Sequence, residues 1–261
     1  MKFTFFKYHG AGNDFILLDN RDERFPARDS VLIEKFCHRR FGIGADGLIL
    51  IQKVKNADFF MRYFNSDGFE ASMCGNGGRC AVKFAQKLGM VKHKTMFLAA
   101  DGLHTATIER DLVRLNMSNV ETFGKTDYFY YFDTGSPHIV VFAKKIDKID
   151  VVYEGGLLRR NKSIANEGTN VNFVEILDDK NLKIRTYERG VEDETWSCGT
   201  GAVASALAMH LHLSLKDLPG KICVHAKGGI LEVDYDSVEG IFTSVSLLGN
   251  ATPIYKGTFK I

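Results

Sequence analysis

Met73-Cys74-Gly75-Asn76-Gly77-Gly78-Arg79-Cys80 and, further along, Ser197-Cys198-Gly199-Thr200-Gly201 are the stretches that decide how this chain folds. In each, a cysteine in a glycine-rich turn opens a run of helix formers: Arg79 to Leu88, stopped by Gly89, and Ala202 to Leu211. Glycine permits tight turns whose amides point outward, so each cysteine is expected at a helix N-terminus. Unpaired N–H groups and the positive end of the helix dipole favour a thiolate there, below the usual thiol pKa of about 8.5, and can also seat a carboxylate. Two such turns predict one site with two activated thiols.

Upstream of the first turn, Lys2 to Tyr8 alternates as a strand, His9 to Asp14 makes a polar, glycine-rich tip, and Phe15 to Leu18 returns as the second arm of a hairpin. Asp29 is placed to cap a helix from Ser30 to about Arg40. Leu48 to Val54 and Phe59 to Phe64 read as strands, followed by the polar elbow Asn65-Ser66-Asp67-Gly68 and the first thiol helix. Thr95 to Ala100, His104 to Glu109 and Leu112 to Met117 are further short strands.

The second half repeats this order. Strands are predicted near Tyr128 to Phe132 and His138 to Phe142, a helix near Val151 to Arg160, and strands at Asn172 to Leu177 and Leu182 to Tyr187. An acidic turn, Glu188 to Glu194, leads into the second thiol helix. Lys221 to Ala226, Gly229 to Asp234, Phe242 to Leu247 and Tyr255 to Lys260 complete the strands. Both halves run strands, polar turn, Cys-Gly-x-Gly, helix, which points to an internal duplication. The boundary is expected near Ser118 to Lys125: domain 1–117 carries Cys74, domain 118–261 carries Cys198, and the last strand is able to pack back on the first domain.

Composition narrows the function. The 261 residues are 45% hydrophobic, enough to fill real cores, and 34 Lys and Arg against 32 Asp and Glu leave a formal charge of +2. Arg39-Arg40, Lys144-Lys145 and Arg159-Arg160 are scattered pairs, a solvated surface rather than a nucleic-acid footprint. The opening Met1 to His9 is too short and interrupted for a signal peptide, and no 18-residue apolar run follows, so the expected location is the cytoplasm with no membrane partner. Five cysteines, an odd number without export features, argue against a disulfide framework. Cys37, Cys80 and Cys223 read as small buried hydrophobes.

Three other chemistries compete for these residues. Gly42-Ile43-Gly44-Ala45-Asp46-Gly47 matches the dinucleotide-binding pattern, but a helix precedes it and a strand follows, the reverse of what that pattern requires. Cys198, His210, His212, Cys223 and His225 cluster in sequence without zinc-site spacing, so no metal is expected. A single-cysteine nucleophile would recruit His138 as its base and leave the second Cys-Gly-x-Gly turn unexplained. Two thiols at matching helix starts suit reversible proton transfer better: one removes a proton from a Cα while the other returns one from the opposite side, and configuration inverts.

His9 to Phe15, Phe64 to Gly68, Met73 to Cys80, Gly135 to His138, Asn170 to Phe173, Tyr187 to Gly190 and Ser197 to Gly201, in order over almost the whole chain, closely resemble the diaminopimelate epimerase family. The resemblance implies an α+β fold of two pseudo-symmetric domains, each a barrel-like, mostly antiparallel sheet around a central helix, with the substrate between them. It implies an isomerase that needs no cofactor, interconverts LL- and meso-diaminopimelate for lysine and peptidoglycan synthesis, and can form a homodimer. Cys74 and Cys198 would be base and acid, with His138 and Glu188 flanking them. Asn13, Asn65, Asn76, Asn170, Glu188 and Arg189 would bind the small amino-acid substrate, as would the backbone at Gly75, Gly199 and Thr200. Some family members have glutamine where Gly47 stands and asparagine where Ser136 stands, which touches recognition of the substrate's far end. Runner-up readings on the same scaffold are an epimerase of proline, hydroxyproline or histidine, and a non-catalytic amino-acid binding protein.

Overall fold

The computed structural model describes residues 1–121, 123–215 and 219–261; Thr122, inside the span where the domain boundary is expected, lies outside the described residues. The chain divides into two compact units, Met1–Leu115 with Gly249–Ile261, and Asn116–Leu248. In the first, β1 (Lys2–Gly10) and β2 (Asn13–Asp19) form the expected hairpin. Ala11 and Gly12 turn it with φ of 49° and 85°, the left-handed pair that a two-residue hairpin turn requires. Then come α1 (Ser30–Cys37), β3 (Gly47–Gln52), β4 (Phe59–Asn65), β5 (Glu70–Ala71), α2 (Gly75–Lys87), β6 (Lys94–Ala99), β7 (Gly102–Glu109) and β8 (Leu112–Asn116).

The second unit holds β9 (Phe123–Lys125), β10 (Tyr130–Asp133), β11 (Pro137–Phe142), a 3-10 turn (Ile146–Lys148), α3 (Val151–Arg159), β12 (Asn170–Ile176), β13 (Asn181–Glu188), β14 (Asp193–Thr195), α4 (Gly199–His212), β15 (Gly220–Ala226), β16 (Gly229–Val238) and β17 (Ile241–Asn250). The closing strand β18 (Thr252–Lys260) pairs antiparallel with β1 and belongs to the first unit.

The duplication read from residue order is present in the strand pairing. In the first unit β18–β1 and β1–β2 are antiparallel, β2–β3 parallel, β3–β4 and β4–β5 antiparallel, β4–β6 parallel, and β6–β7 and β7–β8 antiparallel. Replacing those strands in turn by β9 to β17 gives the pairing of the second unit. Each parallel pair needs a crossover, and helices supply it: α1 and α3 for the first, α2 and α4 for the second.

The central strands are buried on both faces, which is why Phe15 to Leu18 and Leu48 to Ile51 read as unbroken apolar runs. Ile16, Leu18, Leu48, Leu50 and Phe64 pack with Ile33 and Cys37 of α1. On the opposite face, α2 packs against β1, β2, β3, β4 and β7. In the second unit α4 packs against β10, β11, β12, β13, β15 and β16, and its residues Ala202 to His210 are all buried. A helix walled in on every side shows no polar stripe, and none is seen in Ala202 to Met209. Among the described residues no helix is long and apolar enough to cross a membrane.

Two local expectations are corrected. The helix begun by Asp29, whose side chain accepts from the Leu32 N–H, ends at Cys37 rather than Arg40. Beyond it the chain folds back, with Ile43 and Gly44 N–H groups donating to the Phe36 carbonyl and Ala45 to that of Cys37. Gly42 makes this approach possible, since a Cβ there would stand 2.0 Å from the Lys35 oxygen. Cys223 is only half-buried, because it alternates with the core residues Ile222 and Val224 on β15.

Candidate active site

The glycines after each cysteine form the first turn of the helix itself, not a turn before it. Cys74 and Cys198 are the N-caps, with extended backbones (φ −98°, ψ 131° and φ −121°, ψ 118°), and both are half-buried. The absence of side chains lets the helix start press into the sheet. A Cβ on Gly77 would lie 3.3 Å from Ile49 and Met61, and one on Gly201 would lie 2.5 Å from Asn172 Oδ1. Each cysteine therefore caps the end of a buried helix at which the first N–H groups have no partner within the helix.

In the first unit, the Cys74 thiol donates to Asn13 Oδ1 at 3.6 Å, and Asn76 Nδ2 donates to the same oxygen at 3.3 Å. Asn13 ends the hairpin turn and Asn76 is the second residue of α2, so β2 and α2 bring them together. Asn65 closes β4, exposed and in register with Gly47, which in turn faces Phe15 on β2. Behind Asn13, Asp14 is gripped by Lys7 (2.6 Å) and Arg39 (2.7 Å). Burial works to raise the Asp14 pKa, but the hydrogen bonds and charges of Arg39 and Lys7 outweigh it and hold the carboxyl at about 2.

In the second unit, β11 and β12 run parallel and set His138 beside Asn170. His138 Nε2 lies 2.9 Å from Thr200 Oγ1 and 3.0 Å from Ser136 Oγ, and Thr200 Oγ1 lies 3.3 Å from Cys198 Sγ. His138 thus reaches Cys198 through a hydroxyl. Complete burial, then the charge of Arg189, pushes its pKa down to about 3, so the ring is neutral at physiological pH. Asn170 donates Nδ2 to the Pro137 carbonyl at 3.0 Å and accepts the Arg189 backbone N–H at 2.9 Å. Glu188 ends β13 beside Arg189, opposite Asp193.

The residues predicted from the sequence thus fall into two groups, Asn13, Cys74, Gly75 and Asn76 in one unit and His138, Asn170, Glu188, Arg189, Cys198, Gly199 and Thr200 in the other, while Asn65 stands exposed at the end of β4 in the first unit. Apart from Ser136, which the resemblance already marks near the substrate's far end, the residues that hold these in place carry no signal of that role in the sequence. Ser136 and Asn172 support His138, and Asp46 and Arg79 support Asn13 and Asn76. Asn172 and Arg79 lay inside the quoted motifs, and Asp46 inside the rejected dinucleotide pattern. The histidines near Cys198 have packing partners: His210 lies 3.1 Å from the Tyr235 hydroxyl, the ring centroids of His212 and Phe142 are 4.3 Å apart, and His225 lies 3.1 Å from Asn181 Oδ1. Among the described residues no three His, Cys, Asp or Glu side chains gather as a metal site.

Comparison with known proteins adds lineage to this geometry. The model of the diaminopimelate epimerase family matches residues 5–122 and 130–252. A diaminopimelate epimerase of Flavobacterium psychrophilum is 49% identical over 254 residues, covering 97% of this chain and 98% of that protein. Among solved structures, a phenazine biosynthesis protein of the PhzF family from Bacillus anthracis superposes with a TM-score of 0.80 at 15% identity, covering all of both chains. A hydroxyproline epimerase from Agrobacterium vitis superposes at 0.71 and 16%, covering 98% of this chain and 92% of that one. At such identities the two structures speak for the fold alone.

Proposed function

The chain belongs to the diaminopimelate epimerase family, and from that premise we propose that it interconverts LL- and meso-diaminopimelate on the route to lysine. The observation that carries the reading is the pair of cysteine N-caps, Cys74 and Cys198, at equivalent helices of two units with the same strand pairing. One sulfur, as thiolate, takes the α-proton; the electron pair left on Cα is shared with the carboxylate. The other, as thiol, delivers its proton to the opposite face, and the two exchange roles with reaction direction.

The α-proton of an amino acid is weakly acidic, so charge developing on the carboxylate has to be stabilised. Backbone amides of Gly75, Gly199 and Thr200 at the two helix starts supply fixed donors for it. Asn13, Asn65, Asn76, Asn170 and Arg189 bind the rest of the substrate, Arg189 as a fork for a carboxylate and Glu188 as partner of an ammonium. Neutral His138 acts on Cys198 through the Thr200 hydroxyl. The reading places the enzyme in the cytoplasm, where its thiols stay reduced, and allows a homodimer.

The test is incubation with LL-diaminopimelate in heavy water without added pyridoxal phosphate. Meso product carrying deuterium at the inverted α-carbon is expected. Inversion of proline, hydroxyproline or histidine with none of diaminopimelate would select another epimerase, and tight binding without exchange would select a binding protein.

A further inference from the structure

The rejected dinucleotide pattern, Gly42 to Gly47, has a use that its sequence does not advertise. Its aspartate, Asp46, accepts Asn13 Nδ2 at 2.6 Å and the Asp14 N–H at 3.0 Å on Oδ2, while Oδ1 takes Arg39 Nη2 at 2.6 Å. The loop is held against the hairpin by Lys7, whose ammonium donates to the Gly44 carbonyl. At the far side of the same cluster stands Arg79, 0% exposed inside α2. It donates Nη2 to Asn76 Oδ1 at 2.6 Å, Nη1 to the Gly75 carbonyl at 3.3 Å and Nε to the Asn250 carbonyl at 3.4 Å. Among the described residues no carboxylate pairs with it.

Between these two charges lie two amides. An asparagine can present either end, but a guanidinium only donates and a carboxylate only accepts. Arg79 therefore requires Asn76 to turn Oδ1 inward, which points its Nδ2 at Asn13. Asp46 requires Asn13 to turn Nδ2 towards itself, which points Oδ1 at Asn76 and at the Cys74 sulfur. The two requirements agree: hydrogen bonds run in one direction, Arg79 to Asn76 to Asn13 to Asp46. A buried cation in the early turns of a helix is electrostatically costly, since the dipole there is already positive. A relay ending on an anion offsets that cost and leaves each amide one orientation.

We propose that Arg79 and Asp46 are positioning residues that lock the side-chain amides of Asn76 and Asn13, so that Asn13 presents oxygen, never N–H, to Cys74 and to the substrate beside it. This rests on the reading of Cys74, Asn13 and Asn76 as part of an epimerase site.

Asp46→Asn keeps the shape but offers Asn13 an N–H as well as an oxygen. It is expected to lower kcat/KM for LL-diaminopimelate about 10- to 100-fold, the range of a hydrogen bond to a charged group, with Asp46→Glu recovering part. Arg79→Met should cost a similar factor. The double variant should lose no more than the weaker single, because both act on one relay. The Asn13 side-chain amide signals in a proton–nitrogen NMR spectrum, assigned with Asn13→Ala, should move in Asp46→Asn. Wild-type kcat/KM in Asp46→Asn, losses that multiply in the double variant, or unmoved Asn13 signals would overturn the proposal. If Arg79→Met does not fold, the kinetics of Asp46→Asn and the Asn13 signals decide. Should the wild type not turn over diaminopimelate, the functional reading fails, while the Asn13 signals still decide the relay.

Discussion

Asn172 Nδ2 lies 3.1 Å from His138 Nδ1 and 3.0 Å from the Ile139 carbonyl oxygen, and this pair of contacts sets the tautomer of a buried imidazole. The carbonyl can only accept, so the amide nitrogen faces the ring, and Asn172 Oδ1 takes the Thr186 hydroxyl at 3.0 Å. His138 Nδ1 is thus an acceptor, and the neutral ring carries its proton on Nε2, towards Thr200 and Ser136.

His138 is held at a pKa of about 3 when folded, whereas an unfolded histidine titrates near 6.5. Above about 6.5 both states are neutral there; below it only the unfolded chain takes up the proton, so stability falls as pH drops from about 6.5 towards 3. Urea midpoints measured at pH 7.5, 6 and 4.5 should decline in the wild type and decline less in His138→Gln. An imidazole NMR titration showing His138 protonated at pH 6 would refute this.

Thr200 is the next test, because its hydroxyl is what links His138 to Cys198. Thr200→Val should lower kcat about 10-fold or more and slow alkylation of Cys198, while Thr200→Ser should restore both. Paired kinetics and peptide mass spectrometry after iodoacetamide treatment give the answer.

The thiols should sort by environment. Burial pushes Cys37 and Cys80 up to about 12, so neither forms appreciable thiolate at pH 8. In native protein at that pH, Cys74 and Cys198 should be alkylated and Cys37 and Cys80 should not. Labelling of Cys80 before Cys74 would contradict the packing described.

Gly47 bears on the family members that carry glutamine at this place. A Cβ on Gly47 would stand 2.5 Å from both the Phe64 carbonyl oxygen and the Tyr63 ring. Gly47→Gln should therefore destabilise this chain by about 1–3 kcal/mol through overpacking, seen as a lowered urea midpoint. Unchanged stability would mean that β4 shifts freely to make room.

Much of the fold was legible because its signals are local. The hairpin tip at Gly10 to Asn13, the Asp29 cap and the two thiol helices follow from residues a few positions apart. The short strands β5, β9 and β14 leave no mark in the sequence, since two or three residues carry no periodicity. Helical spacing alone carries α1 on to Arg40, because what stops it is the return of Gly42 onto Lys35, a contact that spacing does not report.

By itself, the order of residues determined the two-fold plan, the two cysteines at helix starts and the resemblance that carries the chemistry. Tertiary structure alone decided which way the amides and the imidazole point. Asn13 meets Asp46, and His138 meets Asn172, over more than thirty intervening positions. An asparagine or a neutral histidine is both donor and acceptor, so its orientation has no local signature. It is set by partners that only donate or only accept, and the fold brings those from elsewhere in the chain.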